Sequence, residues 1–468
     1  MHQLLVLLSF VVVAAPTLGH AQGGSARRPN VVLIITDDVG YGDFGSYGAP
    51  DIKTPHIDGL ARDGARLTDF YANGATCTPT RTGLISGRYQ QRLAMERPLG
   101  VAADGELGLA VTGRSLPQLL KGNGYETALV GKWHLGWRTD FSPGAHGFDY
   151  FFGFKSGYTD YYQHTASDGR PDLFENDRPV NVPGYMTDLI TERSVRFIEQ
   201  NAQRPFFIDV AYSAAHWPYQ PPDKPSRARD NARHLGPLDD STGTRAEYVA
   251  MLERADQGVG RILRALDDLG LRQNTIVIFT NDNGGEWLSR NTPLFQRKGT
   301  VWEGGIRVPT IIRWPGRIPA GRVSGQVGIT MDLTASILAA TGTPVAAAAR
   351  LDGINLVPVL EGRVPEIERT LFWRVSGASP QRAVRSGDWK LLFDGARAML
   401  FNVRTDLGER NDVIAQRPDI ARRLQALLAA WETDVDDEAK RSKPPVVSDQ
   451  IGQPSLSSGP VIATLRNP

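Results

Sequence analysis

A chain of 468 residues exceeds what one compact core holds, so a large domain with a smaller appendage is expected. Its 41% hydrophobic and 22% charged residues exclude wholesale disorder, and 49 Gly with 31 Pro indicate many turns and long loops. With 52 Lys and Arg against 51 acids the net charge is +1, so no broad field steers the protein to nucleic acid or to acidic membranes, and anion recognition has to be local.

Residues Leu4 to Ala15 form an apolar run too short to span a bilayer, followed by the small residues Gly19 and Ala21. The run reads as an export signal over residues 1–21, with a buried N-terminal segment as the alternative, and points to a soluble protein in the periplasm or outside the cell. Val31 to Ile35 is a continuous β-branched run, the pattern of a strand buried on both faces, and it ends in Thr36, Asp37 and Asp38. Farther on, Cys77 is followed by Pro79 and, ten residues after it, Gly87, which fit the first turn and the end of a helix. Glu126 to Val130 is a second strand, running into Gly131, Lys132, Trp133 and His134. Phe206 to Tyr212 is a third, running into Ser213, Ala214, Ala215 and His216. Tyr248, Met251, Leu252, Ala255, Val259, Ile262, Leu263 and Leu266 recur at helical spacing before a stop at Gly270. Thr275 to Phe279 is a fourth strand, and Thr280 to Gly285 after it form a polar turn with Asp282 and Asn283. Strands alternating with helices predict an α/β domain with a largely parallel sheet, whose ligands bind beyond the carboxyl ends of the strands.

After the alanines around Val345 to Ala349 the texture changes. Leu371 to Val375 and Ala383 to Phe393 read as short strands around the turn Ser386–Gly387–Asp388, and Pro418 opens an amphipathic helix with Ile420, Leu424, Leu427, Leu428 and Trp431. The expected division is a catalytic domain at 28–365, a smaller C-terminal α+β domain at 366–440 and a loose tail at 441–468.

Cys77 is the only cysteine, so no internal disulfide forms, and its bland reading is a small buried hydrophobe. At a helix N-terminus, with Arg81 one turn along, it is instead a reactive group aimed at an anionic substrate. Asp37, Asp38, Asp282 and Asn283 offer only oxygen ligands, which suit calcium or magnesium rather than zinc; the bland reading is strand-end capping. Lys132, His134, His216 and Lys298 each stand beside a Gly- or aromatic-rich turn, although a lone His is more often structural and a lone Lys solvated.

The run Cys77, Pro79, Thr80, Arg81 with Leu84, Gly87 and Arg88 resembles the maturation signature of type I sulfatases, with Thr80 where Ser is usual. The resemblance extends from about Arg28 to the C-terminal helix, with the motifs in family order. It implies an alkaline phosphatase-like fold, conversion of Cys77 to formylglycine by a formylglycine-generating enzyme, and one metal ion, calcium first and magnesium second, bound by Asp37, Asp38, Asp282, Asn283 and modified Cys77. It also implies that the formylglycine hydrate attacks sulfur while Lys132 and Lys298 neutralise the sulfate. His216 then protonates the leaving alcohol, Arg81 holds the hydrate, and His134 takes the proton that lets sulfate depart. Carbohydrate or aryl sulfate esters are the expected substrates. The alternatives are a phosphate mono- or diester hydrolase of the same superfamily and a non-catalytic protein that holds sulfated glycans. Specificity is expected from the loops Gly153–Asp177 and Gln220–Thr244, where Tyr158, Tyr161, Tyr162, His164 and Arg170 either face a sugar or anchor the loop.

Overall fold

The computed structural model of the chain describes residues 28–101, 103–224, 243–377 and 379–441. The expected export signal, the tail beyond residue 441 and most of the 220–244 loop lie outside the described residues.

Among the described residues, ten strands make one large sheet. In spatial order they are Arg322–Ser324, Ala65–Leu67, Thr310–Arg313, Thr275–Asn281, Asn30–Thr36, Phe206–Ala211, Glu126–Lys132, Tyr150–Phe154, Phe174–Glu175 and Arg178–Pro179. The five from Thr275–Asn281 to Tyr150–Phe154 are mutually parallel. Thr310–Arg313 runs antiparallel to Thr275–Asn281, so the sheet is mixed at its margins and parallel where the four sequence-predicted strands lie. Those four occupy neighbouring positions, as their unbroken apolar runs require.

Alternate residues of each parallel strand face opposite layers. Val32, Ile34, Ile208, Val210, Val277 and Phe279 meet Ile57 and Leu60, Met186 to Ile198, and Tyr248 to Leu266, from the helices Pro55–Asp63, Met186–Gln200 and Arg245–Asp268. Val31, Leu33, Ile35, Phe207, Ile276 and Ile278 meet Leu84, Ile85, Leu116, Leu120, Leu333 and Ile337, from the helices Cys77–Ser86, Leu116–Gly122 and Thr330–Ala340. The sheet is thus a middle layer with helices on both faces.

The C-terminal segment forms a separate antiparallel sheet of four strands, Thr370–Val375, Gln381–Ser386, Trp389–Asp394 and Arg397–Asn402, against the helix Pro418–Arg441. The fourth strand extends what the sequence pattern predicted, and the turn at Gly387 (φ +58°) joins the second to the third. The core of this sheet is shared: Leu371, Trp373, Leu392, Leu424 and Trp431 pack in one cluster with Tyr71, from a two-stranded sheet of Phe70–Tyr71 and Gly328–Ile329, and with Val301, Trp302, Ile306 and Met331 from the loops and helices around the large sheet. Lys390 ties the two parts together from a fully buried position, its amine 2.9 Å from Glu303 and 2.8 Å from Glu409.

Candidate active site

Because the central strands are parallel, their carboxyl ends share one edge, and the side chains that follow them converge there. Asp37 and Asp38 follow Asn30–Thr36, Lys132 ends its strand with His134 just beyond, His216 comes five residues after Phe206–Ala211, and Asp282 and Asn283 follow Thr275–Asn281. Two of these residues, Asp38 and His134, hold φ at +58°, a left-handed conformation that costs a non-glycine residue energy and clusters at functional sites. Gly131 sits at φ +121° against Ala211 O, closer than any Cβ permits, which explains the glycine directly before Lys132.

Cys77 opens the helix Cys77–Ser86 after Thr76, and Gly87 closes it in a left-handed cap, as the spacing predicted. The Cys77 sulfur is buried 3.6 Å from Asp37 Oδ1. Burial, then Asp282 and Asp37, push its thiol well above the ordinary range, so an unmodified cysteine stays neutral there and makes a poor nucleophile. Thr80 Oγ1 accepts from Gly74 N–H and donates to Gly74 O, both at 3.0 Å, clamping the loop ahead of the helix; a threonine hydroxyl does this where a serine would.

Lys132 Nζ donates to Asp37 Oδ2 at 2.5 Å, with both side chains fully buried. Arg81 donates to Asp282 Oδ2 at 3.0 Å and lies 3.8 Å from Asp37, while a second guanidinium nitrogen bonds Lys132 O at 3.2 Å. Lys298 Nζ reaches Asp38 Oδ2 at 2.6 Å and His216 Nε2 at 3.2 Å, and Asn283 donates to Asp38 Oδ1 at 2.7 Å. Burial and Asp282 raise Asp37 to about 7 against the pull of Lys132. Burial also works against ionised Asp38, but Lys298 and Lys132 hold it below the ordinary carboxylate range.

The two histidines are set differently. His134 Nε2 lies 2.9 Å from Leu99 O, leaving Nδ1 buried without a partner, and Thr78 donates to the His134 carbonyl at 2.9 Å. His216 Nδ1 lies 2.6 Å from Trp217 O, which assigns the proton of the neutral ring to Nδ1 and turns Nε2 toward Lys298 and Asp38. Burial, helped by the neighbouring lysines, depresses both histidines well below 6.5.

Three carboxylates, Asp37, Asp38 and Asp282, therefore face three cations, Arg81, Lys132 and Lys298. With all six ionised the set is neutral by itself and becomes positive once a divalent cation joins it, which is the charge an anionic ester needs. Oxygen atoms remain for that cation: Asp282 Oδ1 and Asn283 Oδ1 are buried and have no hydrogen-bond partner. Among the described residues, ligand atoms of Asp37, Asp38, Cys77 and His216 lie within 4.8 Å of one another. The acidic character of this cluster suits a hard ion.

Asp37, Asp38, Cys77, Arg81, Lys132, His134, His216, Asp282, Asn283 and Lys298 come together at this edge. One neighbour had escaped notice: Glu286, 3.4 Å from Lys298, whose only signal is an acid directly after Gly284 and Gly285. Of the loop residues, Tyr158 stacks on His216 with ring centroids 5.6 Å apart, and it also contacts Trp217. The others anchor the loop. Tyr161 is buried and donates to Ser213 O, Tyr162 to Pro221 O; His164 lies 3.1 Å from Gly184 O, and Arg170 covers Trp137.

Comparison with known proteins places this geometry. The family model described as Sulfatase matches residues 29–343. N-acetylgalactosamine-6-sulfatase of Sus scrofa is 35% identical over 392 residues, covering 78% of this chain and 71% of that protein. Arylsulfatase A of Homo sapiens is 34% identical over 404 residues, covering 79% and 75%. The crystal structure of Ps i-CgsB in complex with k-i-k-neocarrahexaose superposes with a TM-score of 0.80 at 28% identity, over 89% of this chain and 94% of that one.

Proposed function

The chain belongs to the sulfatase family of sulfuric ester hydrolases, and on that premise we propose that it cleaves carbohydrate or aryl sulfate esters at Cys77, matured to formylglycine, with one divalent cation. Calcium is the first choice and magnesium the second, held by Asp37, Asp38, Asp282, Asn283 and the modified residue 77. The observation that carries this reading is the convergence of three cations on the carboxylates around Cys77, with two buried oxygens left unpartnered.

When present, the cation supplies Lewis-acid polarisation, and formylglycine supplies, as its hydrate, the oxygen nucleophile that a neutral buried thiol cannot. The remaining work falls to fixed side chains. Lys132, paired with Asp37, and Lys298, paired with Asp38, neutralise the sulfate oxygens as charge develops on them. Arg81, locked by Asp282 and Lys132 O, orients residue 77 from one turn along its own helix. His216, with Nδ1 fixed on Trp217 O, directs Nε2 into the centre 3.2 Å from Lys298; once protonated at Nε2 through Lys298 it serves as the acid for the leaving alcohol. His134, held by Leu99 O through Nε2, keeps a free Nδ1 as the base that releases sulfate.

The proposal includes an exported protein with residues 1–21 as the signal, matured by a formylglycine-generating enzyme, and the division into domains at 28–365 and 366–440. Among the described residues no helix is long and apolar enough to cross a membrane. The test is expression with a formylglycine-generating enzyme, mass analysis of the peptide spanning residue 77, and an aryl sulfate assay on the same preparation. The expected result is conversion to the aldehyde with turnover that Cys77→Ala abolishes; turnover by unconverted protein sinks the mechanism.

A further inference from the structure

Of the three cations in the centre, Lys298 is the least confined. Lys132 is wholly buried against Asp37, and Arg81 is locked by Asp282 and by Lys132 O, whereas the Lys298 side chain is 14% exposed on a flexible four-carbon stem. Among the described residues its three N–H groups meet three acceptors: Asp38 Oδ2 at 2.6 Å, His216 Nε2 at 3.2 Å and Glu286 Oε2 at 3.4 Å. Two of these acceptors have a second task in the reading above. Asp38, once drawn to the cation, holds the lysine more weakly, and His216 Nε2 has to serve the leaving alcohol. Glu286 stands outside both tasks, and its side chain is 13% exposed.

The backbone keeps this glutamate beside the lysine. Glu286 N–H donates to Asp38 O at 3.4 Å, and Glu286 O accepts from Ser289 N–H at 3.1 Å. Lys298 N–H donates to Gly285 O at 3.2 Å, so the residue before the glutamate is bonded to the lysine's own amide. The two side chains therefore meet across two segments that are already tied together. Burial raises the Glu286 carboxyl above the ordinary glutamate range, and Lys298 is the largest charge that opposes it. Both side chains are mostly buried, so solvent screens this pair less than it screens a surface ion pair.

We propose that Glu286 is the positioning residue of Lys298: it holds the ammonium in the centre when Asp38 serves the cation and His216 the leaving group, which frees the other N–H groups for the sulfate. The inference deepens the sulfatase reading above and rests on it. It also carries a distinctive sign. Removing a negative charge beside an anion site tightens anion binding through the field alone, whereas removing the anchor of Lys298 weakens it.

The test is a double-mutant cycle of Glu286→Gln and Lys298→Met in the full-length chain. It is read twice: as calorimetric binding of inorganic sulfate to calcium-saturated Cys77→Ala protein, and as kcat/KM for p-nitrophenyl sulfate with the matured Cys77 protein. Glu286→Gln is expected to weaken sulfate about tenfold and to lower kcat/KM by a similar factor. Added to Lys298→Met, the same change is expected to move either quantity by less than about twofold. Glu286→Asp keeps the charge at shorter reach; it is expected to lose about threefold in sulfate affinity, and it stands in for a glutamine chain that does not fold. Unchanged or tighter sulfate binding in Glu286→Gln, or an equal loss with and without Lys298, overturns the role. With the parent enzyme active, those outcomes sink only the part given to Glu286; a matured parent without turnover sinks the sulfatase reading beneath it.

Discussion

His216 shows how one side chain's hydrogen bonds set its chemistry. With Nδ1 on Trp217 O, the ring can exchange a proton only through Nε2, which faces Lys298 and Asp38. His216→Gln is therefore expected to lower kcat/KM about 10²- to 10⁴-fold on a sugar sulfate, whose alkoxide needs a proton to leave. On p-nitrophenyl sulfate, which releases a stable phenolate, the loss is expected to be far smaller. Steady-state kinetics on the two esters decide it; equal losses would assign His216 to binding instead. His146 makes the opposite case, a histidine serving structure. Buried under Trp133 with Nε2 3.1 Å from Leu109 O, it is depressed by burial to about 4. The unfolded chain binds this proton near pH 6.5 and the folded chain does not, so stability is complete above 6.5 and falls as pH drops toward 4. Up to about 3 kcal/mol is lost over that window. His146→Gln, which keeps a donor for Leu109 O, is expected to flatten this part of the pH profile in urea titrations at pH 7 and 4.5.

At the scale of elements, the four long apolar runs were legible because a strand buried on both faces leaves no polar interruption, and the helix Arg245–Asp268 because its apolar positions repeat every turn. The short strands were not. Ala65–Leu67 and Arg322–Ser324 span three residues each, too few to show any period, and their pairing depends on Thr310–Arg313 lying between one of them and the parallel block. Gly131 carries the tightest local constraint. Its φ of +121° and its approach to Ala211 O both exclude a side chain, so Gly131→Ala is expected to cost about 3 kcal/mol and to displace the adjoining Lys132. A urea midpoint unchanged from wild type would show that the strand end yields more easily than its packing implies.

On the scale of the whole molecule, the C-terminal sheet is joined to the large one through a shared core and a buried charge network. Lys390 pairs with both Glu303, which also holds Arg307, and Glu409, and Glu409, driven up by burial against the pull of Lys390, already stands near 7. Lys390→Met leaves buried Glu409 without its lysine beside Glu303 and is expected to cost about 3–5 kcal/mol. The same packing predicts that a chain ending at residue 365 shows no cooperative melt, because Tyr71, Val301, Trp302 and Ile306 lose their cover. A truncated chain that melted cooperatively would establish 28–365 as a self-sufficient domain.

Sequence alone determined the layered parallel architecture and named, Glu286 excepted, the side chains that meet at the strand ends, since unbroken apolar runs specify buried parallel strands and such strands gather whatever follows them at one edge. Which groups pair there was decided only in three dimensions. Lys132 chose Asp37 and Lys298 chose Asp38, Glu286 joined Lys298, and Tyr158 turned to His216 while Tyr161 turned inward. These contacts depend on the spatial order of strands that are far apart in the chain. Local periodicity reports whether a strand is buried; the order of strands follows from how all the layers pack at once.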